Sequence, residues 1–242
     1  MAARAMAHAR WETRLLLRNG EQLLLTFLIP VGLLMALALT GIGSALGGSG
    51  EIDRALATVL AVSVISSAFT SLAISTAFER RSGALRFLAT TPLTRLDLLL
   101  GKAGATIVVT ALSTGLVAVV ALALGWRPIA TSAWAIPLIV LGTAAFAAWG
   151  FSLAGLLRAE AVLAVANGLF LVLIMFGGVI IPTSALPGPL AAIAQWLPSA
   201  ALADGLRQCL ASESIPHAQS WVVLVVWLTV GLLVARRTFR WT

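Results

Sequence analysis

The sequence predicts an all-α integral membrane protein. It has six transmembrane helices, an N-terminal amphipathic interfacial helix, a short helix on the side of the termini and outer re-entrant helices between the last two spans. Three observations carry that prediction. The 242 residues are 60% hydrophobic and only 10% charged, with mean hydropathy +1.02, and so few charges cannot shield so much apolar surface from water. The apolar residues fall into six runs, each near the ~20 residues needed to cross the hydrocarbon core. The basic residues lie between those runs and form no single patch. The net charge of +7 therefore reads as membrane topology and not as a nucleic-acid surface.

Residues 4–20 come first. Arg10, Arg14 and Arg18 share one helical stripe at i, i+4 spacing, flanked by Trp11 and Leu15, with Leu16 across from it. Glu12 interrupts the apolar side. A helix lying along the membrane surface, arginines towards anionic headgroups, suits this pattern; a plain basic anchor is the competing reading. The charged stretch is too long for a secretory leader, and no small-residue cleavage site follows.

The six spans are expected at 23–44, 55–78, 97–124, 133–157, 161–181 and 219–236, forming one transmembrane domain over residues 1–242. Pro30 should kink the first span and free a carbonyl that a neighbour must satisfy. The second span is polar on several sides through Ser63, Ser66, Ser67, Thr70, Ser71, Ser75 and Thr76. Helix packing and the lining of a pathway at a subunit interface both explain those hydroxyls. An even number of spans puts both termini on one side. Of the 16 lysines and arginines, all but Arg54, Arg127 and Arg207 fall on that side, which makes the termini cytoplasmic.

Between the second and third spans lies a basic island, ERRSGALRFLATTPLTRLDLLLGK, residues 79–102. Ser82 is placed to cap a short helix over 82–91, and Pro92 limits its far end. Leu85 and Leu88 share a face of that helix, with Phe87 beside them. Thr94 and Asp97 have capping-box spacing for the helix that follows. The apolar side chains of the short helix have no obvious partner in their own chain. Either they dip into the headgroups or they plug into a groove on a cytosolic motor subunit.

Several classes are excluded by what the chain lacks. Every Asp and Glu falls at a span end or in a connection, so no proton relay or charged pore ring can be assembled. Cys209 is the lone cysteine, and His8 and His217 stand far apart, which leaves no metal ligand set and no intramembrane Ser–His pair. An intramembrane enzyme is disfavoured on those grounds. Gly101–Lys102 is followed by Ala103, and position 96 is Leu; a phosphate-cradling loop needs Ser or Thr and Gly there. Free energy for any transport must come from another polypeptide.

The connection 182–217 contains Pro182, Pro187, Pro189 and Pro198 around an apolar stretch at 190–197. It is too apolar for a free loop and too broken to span. A pair of short helices dipping into the outer leaflet fits, with Gly177–Gly178 allowing a bend before them. Asp204 and Arg207 are spaced to form a structural salt bridge.

Glu79, Arg80, Arg81, Gly83, Leu85, Leu88, Thr91, Pro92, Arg95, Gly101 and Lys102 follow one another in an order that resembles a known signature. It is that of the membrane (permease) subunits of ATP-binding-cassette exporters, the type-two permease superfamily of drug, lipid or polysaccharide exporters. The entry helix, the six spans and the long last outer segment resemble that superfamily as well. The resemblance implies that 82–91 is a coupling helix. Leu85 and Leu88, with Phe87, would then sit in a groove of an ABC ATPase subunit, with Glu79, Arg80, Arg81, Gly83, Pro92, Arg95 and Lys102 around it. It implies an outer gate near Gly177, Gly178, Pro182, Pro187 and Pro198. It also implies a second permease subunit, identical or paralogous, with ATP and Mg bound by the partner ATPase and no cofactor in this chain. A hydrophobic drug or lipid-like substrate fits a pathway without fixed charge, with haem and polysaccharide export as alternatives in the same superfamily. The setting that the resemblance implies is the plasma (inner) membrane of a bacterial cell.

Overall fold

The computed structural model describes residues 2–20, 24–39, 51–90, 93–212 and 214–238. Among these residues every regular element is helical. The order is α1 (Ala2–Arg18), a π-helical segment (Leu24–Leu28), α2 (Ile29–Leu39), α3 (Glu51–Ile65), a second π segment (Ser66–Ser71), α4 (Leu72–Arg81), α5 (Ala84–Ala89), α6 (Arg95–Ala123), α7 (Ala135–Leu156), α8 (Ala159–Phe176), α9 (Gly188–Ala194), α10 (Pro198–Ala211) and α11 (Ala218–Thr238), with short 3₁₀ turns at Ala130–Trp134 and Thr183–Ala185. Five helices among the described residues are long and apolar enough to cross a membrane: Ile52–Arg81, Leu96–Ala123, Ala130–Leu156, Ala159–Phe176 and Ala218–Thr238. The first expected span is described as a shorter apolar helix, Thr26–Leu39; its expected end at 40–44 lies outside the described residues.

The bundle is built around α7, which packs against α11, α4, α10, α3, α6 and α8. Small residues on α7 let its neighbours come close. A Cβ at Gly150 would sit 3.1 Å from the carbonyl oxygens of Ala68 and Phe69 in the second π segment, so a larger residue would have to push that backbone away. Leu138, Phe146 and Ala154 of α7 join Leu56, Val64 and Phe69 of the second span in the main buried cluster.

The first and second spans each contain a wide turn. In the first, the π segment ends just before Pro30, which has no N–H to offer the carbonyl of Thr26. Ser113 on α6 donates its hydroxyl to that carbonyl at 2.7 Å. The carbonyl freed by Pro30 therefore has its partner, as the sequence required. In the second, Ser67 bridges to Thr110 of α6 at 2.8 Å.

Two of the described span ends move by three residues or more, and the second span also starts earlier than expected, at Ile52. The second membrane helix runs through to Arg81, three residues beyond the expected end, because its last turn is tied down by ion pairs. The fifth ends at Phe176, where Gly177 caps it and Gly178 turns the chain at φ +76°. Beyond it, α9 and α10 are the two short helices expected in the outer connection. Ten of the 14 residues of α10 are buried, against α3, α7 and α11, so α10 belongs to the core more than to a loose cover.

Candidate functional site

The short helix expected after the second span is present as α5, but its start is built differently. Ser82 does not cap it. Its backbone N–H bonds back to the Phe78 carbonyl at 2.9 Å, ending α4, and its hydroxyl donates to the Glu79 carbonyl at 3.0 Å. Gly83 makes the turn in the left-handed region at φ +81°, a conformation that favours glycine, and its carbonyl accepts from Phe87 N–H at 3.1 Å. The capping box at the head of α6 is formed. Asp97 N–H donates to Thr94 Oγ1 at 3.1 Å, and the Asp97 carboxylate accepts from Thr94 N–H at 3.1 Å and from its hydroxyl at 2.7 Å.

Leu85 corrects the expectation that the face of this helix has nothing of its own chain to touch. It is fully buried against Leu98, with Leu99 beside it on α6. Phe87 points the other way and is 74% exposed. Pro92 and Thr91, together with the side chains of Leu88, Arg86 and Arg95, lie outside the described residues.

Beneath α5 the structure gathers three charges from three helices. Lys102 of α6 has a side chain only 1% exposed. Its ammonium donates to Glu79 of α4 at 2.8 Å and to Glu12 of α1. The Glu12 side chain is 10% exposed and that of Glu79 32%. A buried ammonium is tolerated only when it is paired and hydrogen-bonded, and the two carboxylates meet that need. Glu12 was absent from the expected site. It read as a flaw in an amphipathic helix, whereas it is the contact that seats α1 on α6.

Gly101 completes the seat. A Cβ there would fall 2.4 Å from the ring of His8, so glycine is what lets α1 dock. The Gly-Lys pair thus binds α1: Gly101 accommodates His8 and Lys102 pairs with Glu12. Lys102 is consequently not placed on an exposed rim. Burial pushes the His8 imidazole below its usual 6.5, aided by Lys102 and opposed by Glu12, and its Nε2 is buried without a partner. Because the seated His8 holds a proton less readily than the free imidazole, stability is full above pH 6.5 and declines as pH falls below it. Thermal unfolding of the purified protein should show that acid loss, and His8→Phe should flatten it.

Arg80 and Arg81 are also used within the chain. Arg80 donates to the carbonyls of Gly155, at 3.2 Å, and Leu157, satisfying acceptors at the end of α7. Arg81 pairs with Glu160 in the first turn of α8; both side chains are about 60% exposed, so this pair contributes little on its own. The expected site residues therefore divide. Glu79, Arg80, Arg81, Leu85 and Lys102 lock α4, α6, α7 and α8 to the root of α5, and Phe87 is left facing outward.

A groove of ≈ 900 Å³ runs from this end into the bundle, between the first span, the second span and α8. One wall carries Ser63, Ser66, Ser67, Thr70, Ser71 and Ser75. The other is apolar, with Ile29, Pro30, Leu33 and Phe170. Asn19 and Asn167 also line it, and among the described residues no charged side chain does.

At the opposite end, the bend at Gly177–Val179 is held by α10. Ser199 donates to the Gly177 carbonyl at 2.9 Å, and Arg207 donates to the Gly178 carbonyl at 2.7 Å and to that of Val179. Asp204 pairs with Arg207 at 2.7 Å and accepts from Thr183 at 2.8 Å. The Asp204–Arg207 salt bridge is structural, as expected. Pro198 is buried at the head of α10 and Pro187 is exposed before α9, with Pro182 half-buried between. Cys209 is fully buried on α10; burial pushes its thiol up to about 11, leaving it protonated and inert at neutral pH.

A multi-pass helical bundle, with a short helix locked at its root and one aromatic side chain displayed from it, defines an all-α integral membrane protein. The chain belongs to the ABC-2 family of transporter proteins, whose family model matches residues 46–237. It is a transporter permease. No curated protein matches it.

Proposed function

We propose that this permease, paired with a second permease subunit and two ATPase subunits, exports a hydrophobic, drug-like or lipid-like substrate across the plasma membrane. The observation that carries the proposal is α5. It is a two-turn helix whose inner face is anchored through Leu85 and whose root is fixed by Lys102, while Phe87 stands exposed. A lever needs both features: a rigid base and a free contact. With the termini cytoplasmic, as the distribution of lysine and arginine favours, α5 faces the compartment that holds ATP and Mg. The ATPase draws its two copies together on binding nucleotide. The push on α5 passes as rigid-body motion into α4 and α6.

The groove supplies the path. Its apolar wall suits an acyl chain or aromatic body, and its serine wall offers hydrogen bonds without the cost of desolvating a fixed charge. The second permease closes its open side. The bend at Gly177–Gly178, with Pro182, Pro187 and Pro198 around it, forms the outer gate, and α10 holds it shut through Arg207.

The test is transport by the permease–ATPase complex in proteoliposomes, using a fluorescent amphiphile and Mg-ATP. Hydrolysis-dependent movement of the probe is expected. Ser66→Trp and Ser71→Trp, which fill the groove, should reduce transport at least tenfold while ATP turnover continues. Movement driven by the permease alone, or unaffected by either tryptophan, would sink the reading.

A further inference from the structure

The face of α1 opposite its seat is basic. Arg10, Arg14 and Arg18 are all exposed, and none enters the ion pairs found among the described residues. On the shoulders of that stripe Trp11 is 52% and Leu15 47% exposed on one side, Met6 66% and Leu17 37% on the other. Arginines flanked by exposed tryptophan, leucine and methionine match a lipid interface, where the charges meet headgroups and the apolar shoulders reach the acyl boundary. The position agrees, because α1 packs along α6 and leads within a few residues into the first span. A nucleic-acid partner would leave those apolar shoulders in water.

The buried face of the same helix carries Glu12, and Glu12 is joined through Lys102 to Glu79. Glu79 lies four residues before Gly83, where α5 begins. A shift of α1 in the membrane surface therefore cannot occur without moving α4 and α6 or breaking this node. We propose that anionic phospholipid bound on the arginine face of α1 regulates transport, and that the Glu12–Lys102–Glu79 node carries the effect to α5. This rests on the transport reading above. Anionic lipid has leverage because it holds α1 better in one state of the lever than in the other, which is the condition for any ligand to shift such an equilibrium. Each arginine near an anionic surface contributes about a fivefold change in binding.

The experiment uses the permease–ATPase complex in nanodiscs of phosphatidylcholine with or without phosphatidylglycerol. ATP turnover is read in each, and transport in matching proteoliposomes. Wild type should respond to phosphatidylglycerol by roughly five- to tenfold, and inorganic phosphate added to phosphatidylcholine discs should give no response. R10Q/R14Q/R18Q should lose the response and keep the rate seen in phosphatidylcholine. E12A, which leaves Lys102 no acceptor on α1, should retain phosphatidylglycerol through purification, measured by mass spectrometry of bound lipid, yet lose the response. An unresponsive wild type, a responsive triple glutamine variant or a responsive E12A each overturns the inference. A response to phosphate alone would assign the arginines to a soluble anion and overturn the lipid assignment. If wild type shows ATP-driven transport in every lipid but no response, only this inference fails; if it shows no ATP-driven transport at all, the transport reading falls first.

Discussion

Replacing Lys102 with methionine should destabilise the permease by about 3–5 kcal/mol, the usual cost of removing one partner from a buried ionic group. Methionine keeps most of the volume and removes the ammonium. The Glu12 and Glu79 carboxylates, which share that ammonium, are then left facing each other, Glu12 almost wholly out of water and Glu79 only partly in it. Glu12→Gln should cost less, about 1–3 kcal/mol, because Lys102 keeps Glu79 and the glutamine carbonyl still accepts. The combination K102M/E12Q/E79Q should recover much of the loss of K102M, because the penalty lies in the orphaned charges and not in the missing contact. That non-additivity is the diagnostic. Thermal unfolding of the purified protein gives the ranking, and proteolysis between α1 and the first span reports whether α1 has left its seat. If K102M were no worse than E12Q, the charges would have to be solvated and the node would not hold α1.

Much of the fold was legible because its signals are local. Runs of apolar residues located the helices, and the Thr94–Asp97 spacing set the start of α6 to the residue. Pro30 announced a freed carbonyl, although not that Ser113 would answer it. The site was less legible because its contacts cross the chain. Glu12 and Lys102 are 90 positions apart, and each reads as a surface feature until the other is placed beside it. One signal was present: Glu12 lies on the side of α1 that should be apolar, in a chain with a single lysine among its basic residues. Leu85 went wrong for a related reason. A leucine on a two-turn helix looks unpartnered until α6 is folded back beneath it. Arg80 and Arg81 looked like topology signals, yet they also close the ends of α7 and α8, a role that depends on which helices become neighbours.

Phe87 is where the transport reading is most exposed to test. At 74% exposure it contributes little to the permease's own stability, so Phe87→Asp should change thermal unfolding by no more than about 0.5 kcal/mol. On the proposed function it is the aromatic anchor in the ATPase, and anchors of that kind are worth about 2 kcal/mol or more, some thirtyfold in affinity. Phe87→Asp should therefore strip the ATPase from the purified complex and abolish ATP-driven transport while the permease remains folded. Leu85→Asp should also lose the ATPase, but by another route: it forces a carboxylate between Leu98 and Leu99, loosens α5 from α6 and lowers the unfolding temperature of the permease itself. Measuring ATPase co-elution and unfolding on the same two variants separates contact from scaffold. Equal loss of stability in both would mean that Phe87 is packed and not displayed. Full ATPase retention by a folded Phe87→Asp protein would move the docking surface off α5 altogether.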